Sequence, residues 1–181
     1  RAVVPSAVWI SAVERLQDGS WTLLGLWGER NAVHMALLDE SRREAGVVSL
    51  EGIAGRFPSV GQFHPPAIRL ERTIKDLFGL EPEGAPDARP WLDHGRWGLR
   101  TPLGAATAAE ATGGPYAFLA AEGESLHQIP VGPVHAGIIE PGHFRFTASG
   151  ETVVRLEERL GYAHKGIESL MAGADLARAA R

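Results

Sequence analysis

The sequence feature that most constrains the fold is a segment, residues 81–115, that does not suit a hydrophobic core. It contains five prolines and six glycines, and residues 101–114 (TPLGAATAAEATGG) are small without an apolar period. Prolines and glycines at this density interrupt helices and strands alike. We therefore interpret residues 101–114 as a linker or a long surface excursion, and we predict two domains, residues 1–112 and 113–181.

The first domain is predicted to be α+β, with a small antiparallel sheet beside helices. Apolar residues at helical spacing predict a helix over residues 6–18, with Ser6 as its N-cap and Gly19 just past its end. Apolar and β-branched runs bounded by turn residues predict three strands, at residues 20–28, 32–39 and 46–51.

A second helix is predicted over residues 65–78, with prolines in its first turn and Gly79 at its end. Its apolar stripe is formed by Leu70, Ile74, Leu77 and Phe78. The other side carries the pairs Glu71–Lys75 and Arg72–Asp76 at i,i+4 spacing. We interpret that side as a solvated face, with docking to a partner subunit as the functional alternative.

The second domain is predicted to contain a β-hairpin followed by a helix. Residues 143–148 alternate between apolar and polar, and Ser149-Gly150 makes a tight turn into a strand over residues 151–157. Two further short strands are predicted at residues 116–120 and 125–129, and a C-terminal helix at 166–181. Because the last residues stop inside a helical pattern, we expect the chain to be part of a longer protein.

Composition excludes several classes of function. A net charge of −4 gives no basic excess for nucleic-acid binding. The absence of cysteine excludes disulfides, thiolate nucleophiles and cysteine-ligated iron–sulfur or nickel–iron centres within this chain. There is neither a P-loop nor a GxGxxG fingerprint, so we expect no NAD to be bound by this chain. No apolar run approaches the ~20 residues that a membrane helix needs.

The strongest signal for chemistry is the run Ile129–Phe146, IPVGPVHAGIIEPGHFRF, which is dense in glycine and proline. Stiff loops that hold a carboxylate and a histidine are typical of functional sites. Glu140 lies between two isoleucines and Pro141. If it is buried there, its pKa would rise, as a proton carrier near neutral pH requires. The structural alternative is that Glu140 caps backbone amides of the turn.

Four of the seven histidines fall close together in the sequence, at His127, His135, His143 and His164. Their spacings give no shared helical face and no HExxH pattern, so a metal site is not favoured. We interpret them as structural or interface residues. A proton-transfer role, which needs only one perturbed group, and a His-dependent metal enzyme both stay open as alternatives.

Two segments resemble known families. GPVHAGIIEPGHFRF (Gly132–Phe146) with GETVVRLEERLGYAHKGIESL (Gly150–Leu170) resembles the N-terminal signature of large subunits of membrane-bound nickel–iron hydrogenases, including the formate hydrogenlyase type. It is similar, less closely, to the 49-kDa quinone-site subunit of NADH–quinone oxidoreductase. ERTIKDLFGLEPEGAPDARPWL (Glu71–Leu92) resembles the signature of the 30-kDa subunit of that oxidoreductase, with Thr73 and Ala85 departing from its pattern.

The resemblance implies a fusion of 30-kDa-like and 49-kDa-like parts in a redox complex that is cytoplasmic and peripheral to the inner membrane through partner subunits. It implies a scaffold role for the first domain, whose helix 65–78 and loop Gly84–Leu92 would dock the iron–sulfur small subunit, with membrane subunits as further partners. It places Glu140 at the position of a proton-passing glutamate and His135 or His143 at that of a quinone-cavity histidine.

By the same resemblance, a nickel–iron centre or a quinone, with iron–sulfur clusters, belongs to the full complex, and this chain alone is expected to be inactive. The alternatives are a catalytically silent structural module of such a complex or the His-dependent metal enzyme. A carboxylate on a stiff loop facing a cavity would favour the redox-complex subunit.

Overall fold

The computed structural model describes residues 1–114, 116–135, 137, 139–163 and 165–180, with only the backbone at 168 and 169. The chain divides into two compact units, residues 1–115 (unit 1) and 116–181 (unit 2). The assignment of each unit to a particular subunit type is a separate prediction. In the part of the chain that the structure describes, no helix is long and apolar enough to cross a membrane.

Unit 1 is built on a four-stranded sheet with the strand order β1-β4-β3-β2. Its strands are β1 (Ala2–Val3), β2 (Thr22–Glu29), β3 (Ala32–Asp39) and β4 (Glu44–Glu51). β2, β3 and β4 form an antiparallel meander, and β1 pairs with β4 in parallel. The three predicted strands are therefore present. Burial alternates along β2, whereas β3, between β2 and β4, is buried along most of its first half.

Helix α1 (Ser6–Gln17) matches the predicted first helix, but its N-cap is Pro5 rather than Ser6, and no side chain caps it. Its buried residues Trp9, Val13 and Leu16 pack in one cluster with the sheet. The indole nitrogen of Trp9 also donates to the carbonyl oxygen of Pro58 at 3.1 Å. Each such large apolar side chain contributes about 1.5–3 kcal/mol on burial, so unit 1 has a core of its own.

The second predicted helix is confirmed as a short 3₁₀ turn, Pro65–Ala67, that leads into α2 (Ile68–Phe78). Gly79 ends α2 in the left-handed conformation at a φ of 75°, and its amide donates to the carbonyl oxygen of Lys75 at 2.9 Å. Ile74 is buried against the core, so the predicted apolar stripe does face inward.

The proline- and glycine-rich segment is a surface excursion attached to unit 1. β6 (Glu81–Glu83) pairs in parallel with β5 (Arg56–Pro58), and β7 (Leu99–Arg100) pairs with β8 (Thr107–Ala108). The amides of Leu103 and Gly104 donate to the carbonyl oxygen of Leu77, at the end of α2. A side chain on Gly104 would lie 2.4 Å from the carbonyl oxygen of Phe78, so this approach requires glycine.

Unit 2 contains an antiparallel sheet with the order β11-β10-β9. Its strands are β9 (Leu126–Val134), β10 (Gly142–Ser149) and β11 (Thr152–Arg159). The predicted hairpin is present as β10 and β11, with a bulge between Thr147 and Ala148. The strand predicted at residues 125–129 is also present and continues to Val134.

Two predictions for unit 2 are wrong. Residues 116–120 form no strand; they lie over the sheet and hydrogen-bond to its side chains. The helix predicted over residues 166–181 is divided into α3 (Ile167–Met171) and α4 (Leu176–Ala179). Gly173 separates them with a φ of 72°, a conformation that breaks a right-handed helix.

Candidate functional site

The polar side of α2 is buried rather than solvated, beginning with Glu71, which is 1% exposed. Its carboxylate accepts from the amide of Val60 at 2.5 Å and from the hydroxyl of Ser59 at 2.9 Å. Burial raises the pKa of Glu71, although these hydrogen bonds oppose the shift. Glu71 therefore fixes the turn that precedes the helix.

Arg72 binds the loop that follows β6. Its Nε donates to the carbonyl oxygen of Arg89 at 2.7 Å and its Nη2 to that of Pro90 at 2.8 Å. Its Nη1 lies 3.1 Å from a carboxylate oxygen of Asp87, and its guanidinium lies 5.0 Å from the centre of the Trp91 ring. Burial acts to raise the pKa of Asp87, but hydrogen bonds from Arg89 and the charges of Arg72 and Arg89 outweigh it and lower the pKa.

Asp76 binds the same loop one helical turn later. One of its carboxylate oxygens accepts the amides of Trp91, Leu92 and Asp93 at 2.8, 2.6 and 3.2 Å. Together, Arg72 and Asp76 hold residues 87–93, which we call the clamped loop. Two charged side chains of α2 thus hold this irregular loop by hydrogen-bonding to its backbone amides and carbonyls.

The predicted i,i+4 pairs on α2 are therefore wrong. Lys75 pairs with Glu81 at 2.9 Å rather than with Glu71, and Arg72 pairs with Asp87 rather than with Asp76. Each side chain finds a tertiary partner that its position on an isolated helix does not reveal. The i,i+4 spacing rule fails here because the clamped loop and β6 cover this side of the helix. A partner subunit would therefore contact the clamped loop rather than the charged side chains of α2.

The clamped loop and its flank present exposed small and proline residues, Pro86, Ala88 and Pro90. Ala88 also borders a shallow groove whose other lining residues are Gly55, Arg56, Gly79, Glu81, Pro82, Glu83, Gly84 and Ala85. The exposed residues of the clamped loop, Ala88 and Pro90, are therefore uncharged and lie beside an open groove, an arrangement suited to protein contact rather than to enclosing a small molecule.

Glu140, the predicted proton carrier, lies in the loop between β9 and β10 with its side chain 47% exposed. Its carboxylate pairs with Nζ of Lys165 at 2.8 Å. The burial on which its predicted pKa shift depends is therefore not met by the chain on its own. A covering surface from another polypeptide would be needed to desolvate this pair.

The two candidate histidines are oriented by backbone groups. Nδ1 of His143 lies 3.1 Å from the carbonyl oxygen of Gly132, and its ring packs on Phe118 with centroids 5.0 Å apart. Its Nε2 is buried and has no hydrogen-bond partner among the described residues. Nδ1 of His135 accepts the amide of Gly137 at 2.9 Å. Neither histidine hydrogen-bonds to Glu140, whose described partner is Lys165.

The remaining histidines do not form a metal site in the described structure. His127 is exposed on β9, and His164 lies outside the described residues. Among the residues that are described, no group of three or more His, Cys, Asp or Glu could hold a metal ion. The alternative of a His-dependent metal enzyme therefore gains no support from the geometry of unit 2.

Sequence reasoning missed one buried polar cluster, centred on His34 of β3. His34 is 1% exposed, its Nδ1 lies 2.8 Å from the hydroxyl oxygen of Ser49, and its Nε2 lies 3.4 Å from Glu29. Burial lowers the pKa of His34, with the charge of Glu29 opposing it. Because Ser49 is fully buried, it has no access to a substrate, and the cluster joins neighbouring strands instead.

Comparison with known proteins shows matches over both parts of the chain. Residues 3–112 match the family described as respiratory-chain NADH dehydrogenase, 30 Kd subunit. Hydrogenase-4 component G of Escherichia coli (strain K12) is 33% identical over 154 residues, covering 77% of this chain and 27% of that protein. Formate hydrogenlyase subunit 5 of the same organism is 32% identical over 136 residues, covering 68% of this chain and 23% of that protein.

A solved structure, "Nqo5 of the trypsin-resistant fragment (1-134) in P63 form", is similar with a TM-score of 0.40 and 23% identity, covering 47% of this chain and 79% of that chain. The chain spans about a quarter of the length of the two curated relatives. The predicted resemblance to hydrogenase and NADH–quinone oxidoreductase subunits is confirmed. Because the family match covers more than half of its length, this chain belongs to the family of the 30 Kd subunit of respiratory-chain NADH dehydrogenase.

Proposed function

We propose that this chain is part of a subunit of a membrane-associated redox complex of the hydrogenase or NADH–quinone oxidoreductase type, and that unit 1 docks a neighbouring iron–sulfur subunit. The observation that carries the proposal is the clamped loop. Two charged side chains of α2, Arg72 and Asp76, bind five of its backbone groups.

A clamp of this kind suits docking because it removes a cost of association. A mobile loop loses conformational entropy when a partner orders it, whereas a loop that is already held does not. Burying charged groups adds little stability by itself, but it can specify one geometry. The exposed residues Pro86, Ala88 and Pro90 would then be the contact surface.

Unit 2 is proposed to be the beginning of the hydrogenase large-subunit part. The match to hydrogenase-4 component G covers 77% of the chain, which is more than the family match to residues 3–112. The first relative is a hydrogenase component by name, and the second is a formate hydrogenlyase subunit by name. Membrane subunits as further partners, and a cytoplasmic, peripheral location, belong to the same proposal.

The chain's own residues do not fit a nickel–iron or iron–sulfur centre. No cysteine is available to supply a thiolate. We derive no step through such a group, and the proposed contribution of this chain is therefore contact and proton transfer. Glu140 is the proposed proton-transfer residue, and His135 and His143 are the proposed further residues of the same site. This role requires another polypeptide to cover the loop that holds Glu140, which now pairs with Lys165.

The docking proposal is tested by Ala88→Arg, which adds a bulky charge to the clamped loop at an exposed position. The matched control is Ala45→Arg, the same change at an exposed alanine of β4. Co-purification of the iron–sulfur subunit with the affinity-tagged protein is expected to fall about tenfold or more for the loop variant alone. Equal recovery with both variants would contradict docking through the clamped loop.

The proton-transfer proposal is tested by Glu140→Gln in the assembled complex, with Glu151→Gln at an exposed turn as control. Turnover is expected to fall about 100-fold for the first variant, within the range for a lost acid–base group, while assembly is retained. The exposure of Glu140 favours the second candidate function, a catalytically silent docking module. Unchanged turnover with Glu140→Gln would establish that alternative over the first.

A further inference from the structure

The sheet of unit 2 has two faces of opposite character. Residues directly opposite one another on antiparallel strands point to the same face. Phe146 of β10 lies opposite Ile129 and Leu156, and Phe144 lies opposite Val131. These five residues form what we call the apolar face.

The other face is polar and already covered by residues 118–120. The carbonyl oxygen of Leu119 accepts from Nε2 of Gln128 at 2.9 Å and from Nη2 of Arg155 at 3.0 Å, and the carboxylate of Glu157 accepts the amide of Leu119. Phe118 packs over Arg145, with the guanidinium 4.3 Å from the ring centre. The covering segment thus satisfies charged side chains and leaves the apolar face open.

This arrangement reverses the usual one, in which an antiparallel sheet buries its apolar face and solvates its polar face. Ile129, Val131 and Leu156 are 45%, 38% and 46% exposed. Within the described residues of unit 2, Ala148 is the single buried hydrophobic residue, and the rest of the buried hydrophobic residues lie in residues 1–115. Three of the five residues of the apolar face are therefore exposed in the part of unit 2 that the structure describes.

We infer that the apolar face is a permanent contact between this chain and the remaining polypeptide of a hydrogenase-type large subunit. The inference rests on the proposed function, because it needs a large subunit to be present. The matched region is only 27% of hydrogenase-4 component G and 23% of formate hydrogenlyase subunit 5, so most of such a protein lies outside it. That remainder is the occupant of the apolar face.

The chemistry of the face supports a permanent contact over a transient one. The apolar face spans two cross-strand rows, one of Val131, Phe144 and Glu158 and one of Ile129, Phe146 and Leu156. Glu158 is the one charged residue among these six positions. Obligate interfaces resemble a domain core cut in half, whereas transient ones are more polar. An apolar face of this composition is therefore suited to contact polypeptide that folds together with unit 2.

The test uses the affinity-tagged protein expressed in its own host, with the fraction in the high-mass complex measured on native gels. Leu156→Asp and Ile129→Asp, on two strands of the apolar face, are each expected to lower that fraction about tenfold or more, because a carboxylate would be buried without a partner. Leu156→Met keeps the apolar character and is expected to assemble as wild type does. The matched control is Leu24→Asp on β2, at a leucine that is 56% exposed.

A second measurement, hydrogen–deuterium exchange, distinguishes a variant that fails to fold from a face that a partner covers in the assembled complex. Amides of β9 and β11 are expected to exchange about tenfold or more slowly in the complex than in the free chain. Equal exchange in both states would overturn the inference, as would slow exchange in a free chain that dimerises or covers its own face. Wild-type protein absent from every high-mass complex would refute the proposed function. Wild-type assembly matched by both aspartate variants would refute this inference alone.

Discussion

Replacing Arg72 with methionine tests the clamp directly, since methionine keeps much of the side-chain length and removes the guanidinium. The variant leaves the carbonyl oxygens of Arg89 and Pro90 and the carboxylate of Asp87 without the donors that now lie 2.7, 2.8 and 3.1 Å away. The Arg72 side chain is 7% exposed and that of Asp87 is 21% exposed, so water replaces the lost donors only in part.

The expected loss in the free energy of unfolding of unit 1 is about 3 kcal/mol. Breaking a buried ion pair by removing one partner costs about 3–5 kcal/mol, and a hydrogen bond to a charged group contributes about 1.5–3 kcal/mol. We take the low end because Asp87 keeps its ion pair with Arg89 at 2.8 Å. The clamped loop should loosen while the helix and the core remain.

Tryptophan fluorescence in urea measures this loss for unit 1 alone, because all five tryptophans lie within residues 1–115. With a denaturant slope of about 1.5–2 kcal/mol per molar, the unfolding midpoint should fall by about 1.5–2 M. The control is Arg42→Met, whose side chain is 75% exposed, and its midpoint should be unchanged. Similar midpoints for the Arg72 and Arg42 variants would refute the buried clamp.

Two further predictions concern the same unit. Because burial raises the pKa of Glu71 in the folded chain, its contribution to stability is present below the unfolded carboxyl's pKa and is lost as the pH rises through the folded value. Glu71→Gln should therefore reduce the decline of the urea midpoint as the pH rises above about 4, the ordinary carboxyl range, and an unchanged pH profile would contradict the assignment. Gly104→Ala, which places a carbon 2.4 Å from the carbonyl oxygen of Phe78, should destabilise unit 1 by about 1–3 kcal/mol in calorimetry. Gly46→Ala meets no atom within 4 Å and should melt as wild type does, so equal melting temperatures would contradict the close approach.

The elements that the sequence predicts well are those whose ends are set by local chemistry. α2 begins after two prolines and stops at Gly79, where a left-handed residue satisfies the last turn. The hairpin of β10 and β11 follows from alternation and from the predicted turn, which the structure places one residue later, at Gly150 and Glu151. In both cases the deciding interactions lie within a few residues of each other, so a single sequence contains the information.

The clamp could not be predicted in the same way, because its partners are distant along the chain. The spacing of Glu71, Arg72 and Asp76 fits a solvated helix face as well as it fits a buried one. What distinguishes the two is the backbone of residues 89–93, and irregular backbone offers no pattern to recognise. Pro86 and Pro90 have no backbone N–H to donate, so they indicate that this loop does not pair as a strand or helix. The other backbone groups of the loop then need side-chain partners.

The candidate site in unit 2 shows a different limit. Alternation along residues 143–148 establishes which side chains share a face, but it does not establish which face is covered within the same chain. Phe118–Ala120 covers the polar face because its backbone carbonyls accept from Arg155 and Gln128. The row of Ile129, Phe146 and Leu156 therefore has the hydrophobic pattern of a core, although Ile129 and Leu156 are exposed. The exposure of Glu140 shows the same limit, since the sequence of its loop does not establish whether that loop is covered.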